Sequence, residues 1–136
     1  MEWADNDPIY LDYLASTPVD PRVSAVMMKY LSTHFGNPTS KHFYGEEPKR
    51  AIEEARRRIA ELINCSSENI IFTSGGSESN TFAICGGLKK IKELFPGRNH
   101  IITSKIEHPA VMKTIDNLTE DGYEVTKINV DDVCIF

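Results

Sequence analysis

Apolar positions recur along this chain at two different spacings, and the alternation predicts a sequence of elements. Near the start, Ile9-Tyr10-Leu11-Asp12-Tyr13 reads as a short strand or extended segment. Asp20-Pro21 then pairs an N-cap residue with proline at a first helical position. Val23, Met27, Tyr30 and Leu31 give that helix an apolar face, and it should end near His34-Phe35, before Gly36-Asn37-Pro38. Residues 36–45 are rich in turn formers and read as a loop. Over residues 46–63, Ile52, Ala55, Ile59 and Leu62 fall at steps of three and four, which predicts a helix with one apolar stripe.

Residues 69–73 form a short apolar run and read as a strand. A helix follows over 77–95, with Ile84, Leu88, Ile91 and Phe95 in register. Gly86-Gly87 lies inside it, and each glycine costs a helix about 1 kcal/mol relative to alanine; close packing against a neighbouring element would account for the pair. The run His100-Ile101-Ile102-Thr103-Ser104 is a second strand. Pro109 opens another helix with Val111, Ile115 and Leu118 on one face, and Asp121-Gly122 stops it. Residues 123–130 are a third strand. The order after residue 68 is β-α-β-α-β, which predicts an α/β fold with parallel strands joined by right-handed crossovers.

Charge narrows the function classes. Fifteen Lys and Arg against twenty Asp and Glu give a net charge of -5, which argues against a broad nucleic-acid footprint. The run Arg56-Arg57-Arg58 has a simpler reading as a solvated helix face, because Glu46/Arg50, Glu53/Arg57 and Glu54/Arg58 are acid-first i,i+4 pairs. No apolar run reaches the roughly 20 residues a membrane helix needs. The acidic N-terminus lacks a signal-peptide core and fits poorly to an Arg-rich transit peptide, so a cytoplasmic location is the default expectation. Cys65, Cys85 and Cys134 fit neither a disulfide framework nor a zinc spacing; they read as structural, with Cys85 buried, and no metal site is expected.

The densest chemistry lies in Thr73-Ser74-Gly75-Gly76-Ser77-Glu78-Ser79-Asn80-Thr81. A strand, a glycine turn and a hydroxyl residue at a helix start make an anion site, because the first helical N–H groups lack internal partners and the helix dipole is positive there. Gly75 and Gly76 permit close approach of a phosphate, and Ser77 can cap the helix and donate its hydroxyl to the anion. Taken alone, the same residues also suit an ordinary turn with an N-cap.

Three further segments accompany this turn: Tyr10-Leu11-Asp12-Tyr13-Leu14-Ala15-Ser16-Thr17-Pro18, Gly36-Asn37-Pro38-Thr39-Ser40-Lys41-His42-Phe43-Tyr44-Gly45, and Ile101-Ile102-Thr103-Ser104-Lys105-Ile106-Glu107-His108. Together the four closely resemble the N-terminal part of cysteine desulfurases and selenocysteine lyases. These are class V aminotransferase-like enzymes that use pyridoxal 5'-phosphate (PLP). The resemblance extends over nearly all of residues 8–130, with Leu14 departing from the small or polar residue of the family pattern.

The resemblance implies a partial PLP-dependent transferase fold of fold type I, aspartate-aminotransferase-like. It would comprise an N-terminal segment lining the active-site mouth, residues 1–45, and the start of the large PLP-binding α/β domain, residues 46–136, with the first three strands of its sheet. Residues 69–73 would then be an outer strand, with the other two strands as neighbours toward the opposite side. Gly76 and Ser77 match the positions that bind the cofactor phosphate. His108 matches the histidine that stacks on the pyridine ring and assists proton transfer; a lone histidine at a strand end would otherwise read as structural. Ala15, Ser16, Thr17, Asn37 and His42 match the substrate side of the mouth, where simple loop hydrogen bonding is the competing role for Asn37, Ser40 and His42.

The implied reaction converts L-cysteine, or L-selenocysteine in the lyases, to L-alanine, with sulfur held as an enzyme-bound persulfide. The resemblance also implies a homodimer and sulfur-acceptor proteins; from charge and apolar run lengths, no nucleic acid and no membrane are expected. The Schiff-base lysine of a Ser-x-His-Lys motif is not in these 136 residues; Lys105 and Lys113 do not match it, and none of the cysteines matches the family nucleophile. The expectation is therefore the N-terminal third of such an enzyme, with little or no turnover by the chain alone. Two other readings stay open. One is a non-catalytic interaction protein that docks through unpaired sheet edges. The other is a related PLP enzyme acting on cysteine sulfinate or by transamination.

Overall fold

The computed structural model describes residues 8–131; residues 1–7 and 132–136, and with them Cys134, lie outside the described residues. Two compact units divide the chain between Ile70 and Ile71.

In the first unit, helix α1 (Pro21–Ser32) begins where Asp20-Pro21 predicts. The Asp20 carboxylate accepts the backbone N–H of Arg22 at 2.8 Å, and the Arg22 guanidinium donates to it at 3.0 and 2.7 Å. That guanidinium holds the Asp20 carboxyl below the usual carboxylate range. The helix stops at Ser32, earlier than expected, because the N–H groups of Thr33 and His34 both turn back to the carbonyl of Lys29. No residue of α1 is buried. The segment ahead of it is not a strand: residues 8–12 have no regular structure, and a turn follows in which Ala15 N donates to Asp12 O at 3.1 Å. A strand is defined by a ladder, and the described residues offer this segment none.

Helix α2 (Phe43–Leu62) starts three residues before the expected Glu46. Pro48 brings no N–H to the carbonyl of Tyr44 four residues back, and Gly36 packs on that same oxygen: a Cβ at Gly36 would lie 1.8 Å from it. The expected apolar stripe of α2 is exposed at Ile52, Ala55, Ile59 and Leu62, and the buried hydrophobic residue of the helix is Ala60, off that stripe. Its charged face is salt-bridged as expected; Glu54/Arg58 keeps its expected partner, while Arg50 and Arg57 take others. Arg50 pairs with Glu47, Arg56 with Glu53, Arg57 with both Glu54 and Glu61, and Arg58 with Glu54.

The Arg57 and Arg58 hydrogen bonds push the Glu54 carboxyl down to about 2. A carboxyl whose folded pKa is depressed contributes stability that is full above its ordinary value of 4.5 and is lost as pH falls through about 2. Helical circular dichroism is therefore expected to decline across that acid window, less steeply in Glu54→Gln and less at high salt, because the pair is exposed. Identical acid profiles for the two proteins would contradict this.

A short 3-10 turn over Ser67–Asn69 follows, Ile70 is extended, and residues 71–73 have no regular structure. The strand expected at 69–73 is absent, since the sheet of the described residues contains two other strands.

These strands belong to the second unit. Strand β1 (His100–Ser104) matches its sequence prediction, and β2 (Glu124–Ile128) is the shorter centre of the predicted 123–130. They pair in parallel, His100 opposite Glu124 and Ser104 opposite Ile128. Helix α3 (Gly76–Leu94) precedes them, and α4 (Pro109–Glu120) forms the crossover. The stop at Asp121-Gly122 is a Schellman closure: Gly122 adopts φ +87°, its N–H donates to Thr119 O, and Tyr123 N–H donates to Leu118 O, both at 3.1 Å. Ile115 and Leu118, 3% and 7% exposed, form the apolar core here. Two expectations for α3 fail. Cys85 is exposed rather than buried. Gly86 and Gly87 have no close neighbour, since a Cβ on either would meet nothing within 4 Å.

Candidate functional site

The glycine turn is tied down by its own polar side chains. Ser74 donates from both its backbone N–H and its hydroxyl to one Glu78 carboxylate oxygen, at 2.6 and 2.7 Å. Those two bonds, the backbone one first, hold the Glu78 carboxyl below the usual glutamate range. Thr73 Oγ1 lies 2.6 Å from Ser79 Oγ and bonds the Gly75 carbonyl at 3.2 Å. The N-cap is Gly75, not Ser77, because the helix begins one residue earlier than expected, at Gly76. No side chain caps it. The leading N–H groups of α3 therefore lack the cap that Asp20 provides for α1. Ser77 is in the first turn, exposed, and its hydroxyl has no hydrogen bond among the described residues.

The second part of the site is built at the C-terminal end of β1. The Ser104 side chain, 4% exposed, donates to Glu107 Oε1 at 3.0 Å, and Lys105 N–H donates to Ile128 O at 2.9 Å, just past the paired strands. This shapes the loop that ends at His108, the N-cap of α4. His108 Nδ1 accepts the Ala110 N–H at 3.1 Å, so the neutral ring carries its hydrogen on Nε2. An open end of a parallel strand, followed by a helix start, is where α/β sheets present ligand groups.

Ser77 and His108 line one cleft of about 610 Å3, with Thr81, Cys85, Lys113 and Thr114. Gly76 is next to Ser77 at the helix start, and a Cβ at Gly75 or Gly76 would meet nothing within 4 Å, so the space beside these two glycines is open. Ala15, Ser16, Thr17, Asn37 and His42 belong to the first unit. There the Ser16 hydroxyl lies 3.2 Å from that of Tyr10. Asn37 Oδ1 accepts the N–H and hydroxyl of Thr39 at 2.9 and 2.8 Å, which is loop hydrogen bonding. The His42 ring stands edge-on to Tyr44. Among the described residues no group of three or more His, Cys, Asp or Glu is placed to hold a metal ion, and no helix is long and apolar enough to cross a membrane.

Sequence reading left Thr73, Ser74, Glu78 and Ser79 without roles, although the Ser74/Glu78 spacing of four was a usable signal. It also left out Thr81 and Thr114, which lie 33 positions apart and carry no local signature.

The same backbone occurs in solved structures. A NifS-like protein superposes with a TM-score of 0.78 at 37% identity, over 90% of this chain and 33% of that one. The structure described as SspA in complex with cysteine gives 0.79 at 39% identity, over 90% and 34%. In sequence, the chain is 46% identical over 124 residues to the cysteine desulfurase IscS of Dechloromonas aromatica (strain RCB), and 48% identical over 123 residues to that of Pseudomonas aeruginosa (strain LESB58). Those matches take in 90% and 88% of this chain but 30% of each relative, so the chain spans about a third of the length of the proteins it matches. The family described as Aminotransferase class-V matches residues 9–134. The chain belongs to the class-V aminotransferase family, and its fold is the corresponding part of the α/β fold of the NifS-like proteins.

Members of this family in general depend on PLP. The residues present suit that cofactor: an uncapped helix start, open space over two glycines and an uncommitted hydroxyl match a phosphate ester.

Proposed function

We propose that this chain supplies the phosphate cup and the ring-facing histidine of a PLP-dependent cysteine desulfurase, which converts L-cysteine to L-alanine and an enzyme-bound persulfide. The observation that supports it most is the single cleft shared by Ser77 and His108. The N–H groups of Gly76 and Ser77 would hold the phosphate at the positive end of α3, with the Ser77 hydroxyl as a further donor. Lys113, on the same cleft, adds positive charge. His108 would lie against the cofactor ring. With Nδ1 engaged by Ala110, any proton it holds or gives in the neutral form is at Nε2. Bound PLP supplies the electron sink for bond cleavage next to the substrate's α-carbon. In this reading residues 1–45 line the mouth, with Ala15, Ser16, Thr17, Asn37 and His42 on the substrate side. The complete enzyme would be a cytoplasmic homodimer that passes sulfur to acceptor proteins.

Pyridoxamine 5'-phosphate tests the cup, because it lacks the aldehyde that would react with surface lysines. Calorimetry should show it binding roughly tenfold or more tighter than pyridoxamine, the worth of one or two charge-assisted hydrogen bonds. Ser77→Ala should remove a several-fold share of that preference. Equal affinity for the two compounds would overturn the assignment.

A further inference from the structure

Thr114 is 6% exposed and one of the buried polar side chains of the described residues. Its Oγ1 donates to the carbonyl of Ala110 at 2.8 Å. Thr81 Oγ1 lies 2.9 Å from the same Thr114 oxygen. A hydroxyl has one hydrogen, and Thr114 has already given its own to Ala110. At the contact between the helices Thr114 can only accept, so Thr81 donates. The result is a directed series from Thr81 through Thr114 to the Ala110 carbonyl, while the N–H of that same Ala110 donates to His108 Nδ1.

The series lies beside the two proposed ligand-facing groups, Ser77 and His108. Thr81 is one helical turn after Ser77 on α3, and Thr114 is one turn after Ala110 on α4. Ser77, Thr81, His108, Ala110 and Thr114 all line the same cleft. The neighbouring apolar core, Ile115 and Leu118, holds α4 without directional preference. A hydroxyl pair is directional and fixes distance as well as adhesion.

We infer that Thr114, with Thr81 as its donor, is a positioning residue that sets the spacing of Ser77 to His108 and keeps the His108 ring in the Nε2–H form. The inference rests on the reading that Ser77 and His108 serve one phosphate-bearing ligand. It adds to that reading two residues that act through their contact between α3 and α4 and through Ala110.

The test compares the full chain with Thr114→Val, which keeps the shape and loses the hydroxyl, with Thr114→Ser, which keeps the hydroxyl, and with Thr81→Val. Long-range proton–nitrogen NMR reads the His108 tautomer at about pH 8, above the usual histidine range. The parent chain and Thr114→Ser should show a single Nε2–H form, and Thr114→Val a mixture. Pyridoxamine 5'-phosphate affinity should fall roughly three- to tenfold in Thr114→Val and in Thr81→Val. The double variant should be no weaker than either single one, since both remove one connection. Thr114→Ser should stay within roughly twofold of the parent.

An unchanged tautomer and unchanged affinity in Thr114→Val, with only a lower urea midpoint, would reduce Thr114 to a packing residue and overturn the inference. Should Thr114→Val fail to fold, Thr81→Val carries both readouts from an exposed site, and its failure to change either is equally decisive. If the parent chain does not bind the phosphate compound, the functional reading fails by itself; the tautomer comparison then supports or overturns the hydroxyl relay independently.

Discussion

Ser77→Asp is expected to make the chain more stable and at the same time abolish its binding of pyridoxamine 5'-phosphate. The two effects have one cause. An acidic residue in the first turn of a helix interacts favourably with the positive end of the dipole, worth roughly 0.3–1 kcal/mol at an exposed position. α3 has room for that gain because its N-terminus has no side-chain cap. The same carboxylate would stand where the ligand's phosphate is proposed to sit. Two like charges about 4 Å apart near a protein surface repel by on the order of 4 kcal/mol, so affinity should drop a hundredfold or more. Glu78, also in the first turn, is drawn back to Ser74 by two hydrogen bonds. A urea midpoint and a calorimetric titration on the same variant measure both signs. Retained binding within tenfold of the parent would mean that the phosphate sits elsewhere.

The largest loss of stability is expected from Ile115→Ala. Ile115 is 3% exposed and sits next to Thr114 on the buried face of α4. Removing its outer carbons should cost about 2–5 kcal/mol, transfer and cavity terms together. Only Leu118 shares its degree of apolar burial in the second unit among the described residues. There is little surrounding core to close over the gap. Equilibrium urea unfolding should show the midpoint falling sharply; a change under about 1 kcal/mol would indicate that α4 is not what holds this unit together.

The sequence was most legible where the deciding signal is local. Asp20-Pro21 and Pro109 mark helix starts by backbone chemistry, Asp121-Gly122 marks an end through one positive φ, and β1 falls on its predicted residues. It was least legible where the outcome depends on a distant partner. Residues 70–73 have strand composition, yet strand formation needs a neighbouring backbone at ladder distance, and composition does not supply one. Cys85 has apolar neighbours in sequence, but burial depends on what packs against that turn of α3. At the site, His108 and the turn at Gly76-Ser77 were visible because each sits at a helix start with recognisable residues. The link between them was not, since Thr81 and Thr114 meet only through the packing of α3 on α4.

The thin core has a thermodynamic consequence. Ala60, Ile115 and Leu118 are the hydrophobic residues buried among the described ones, while Leu31, Leu62, Leu94 and Ile102 remain 60–84% exposed. The heat-capacity change of unfolding scales with the apolar surface newly wetted, and here most such surface is wet already. A flat curve of folding free energy against temperature is therefore expected, with a small heat-capacity step in scanning calorimetry.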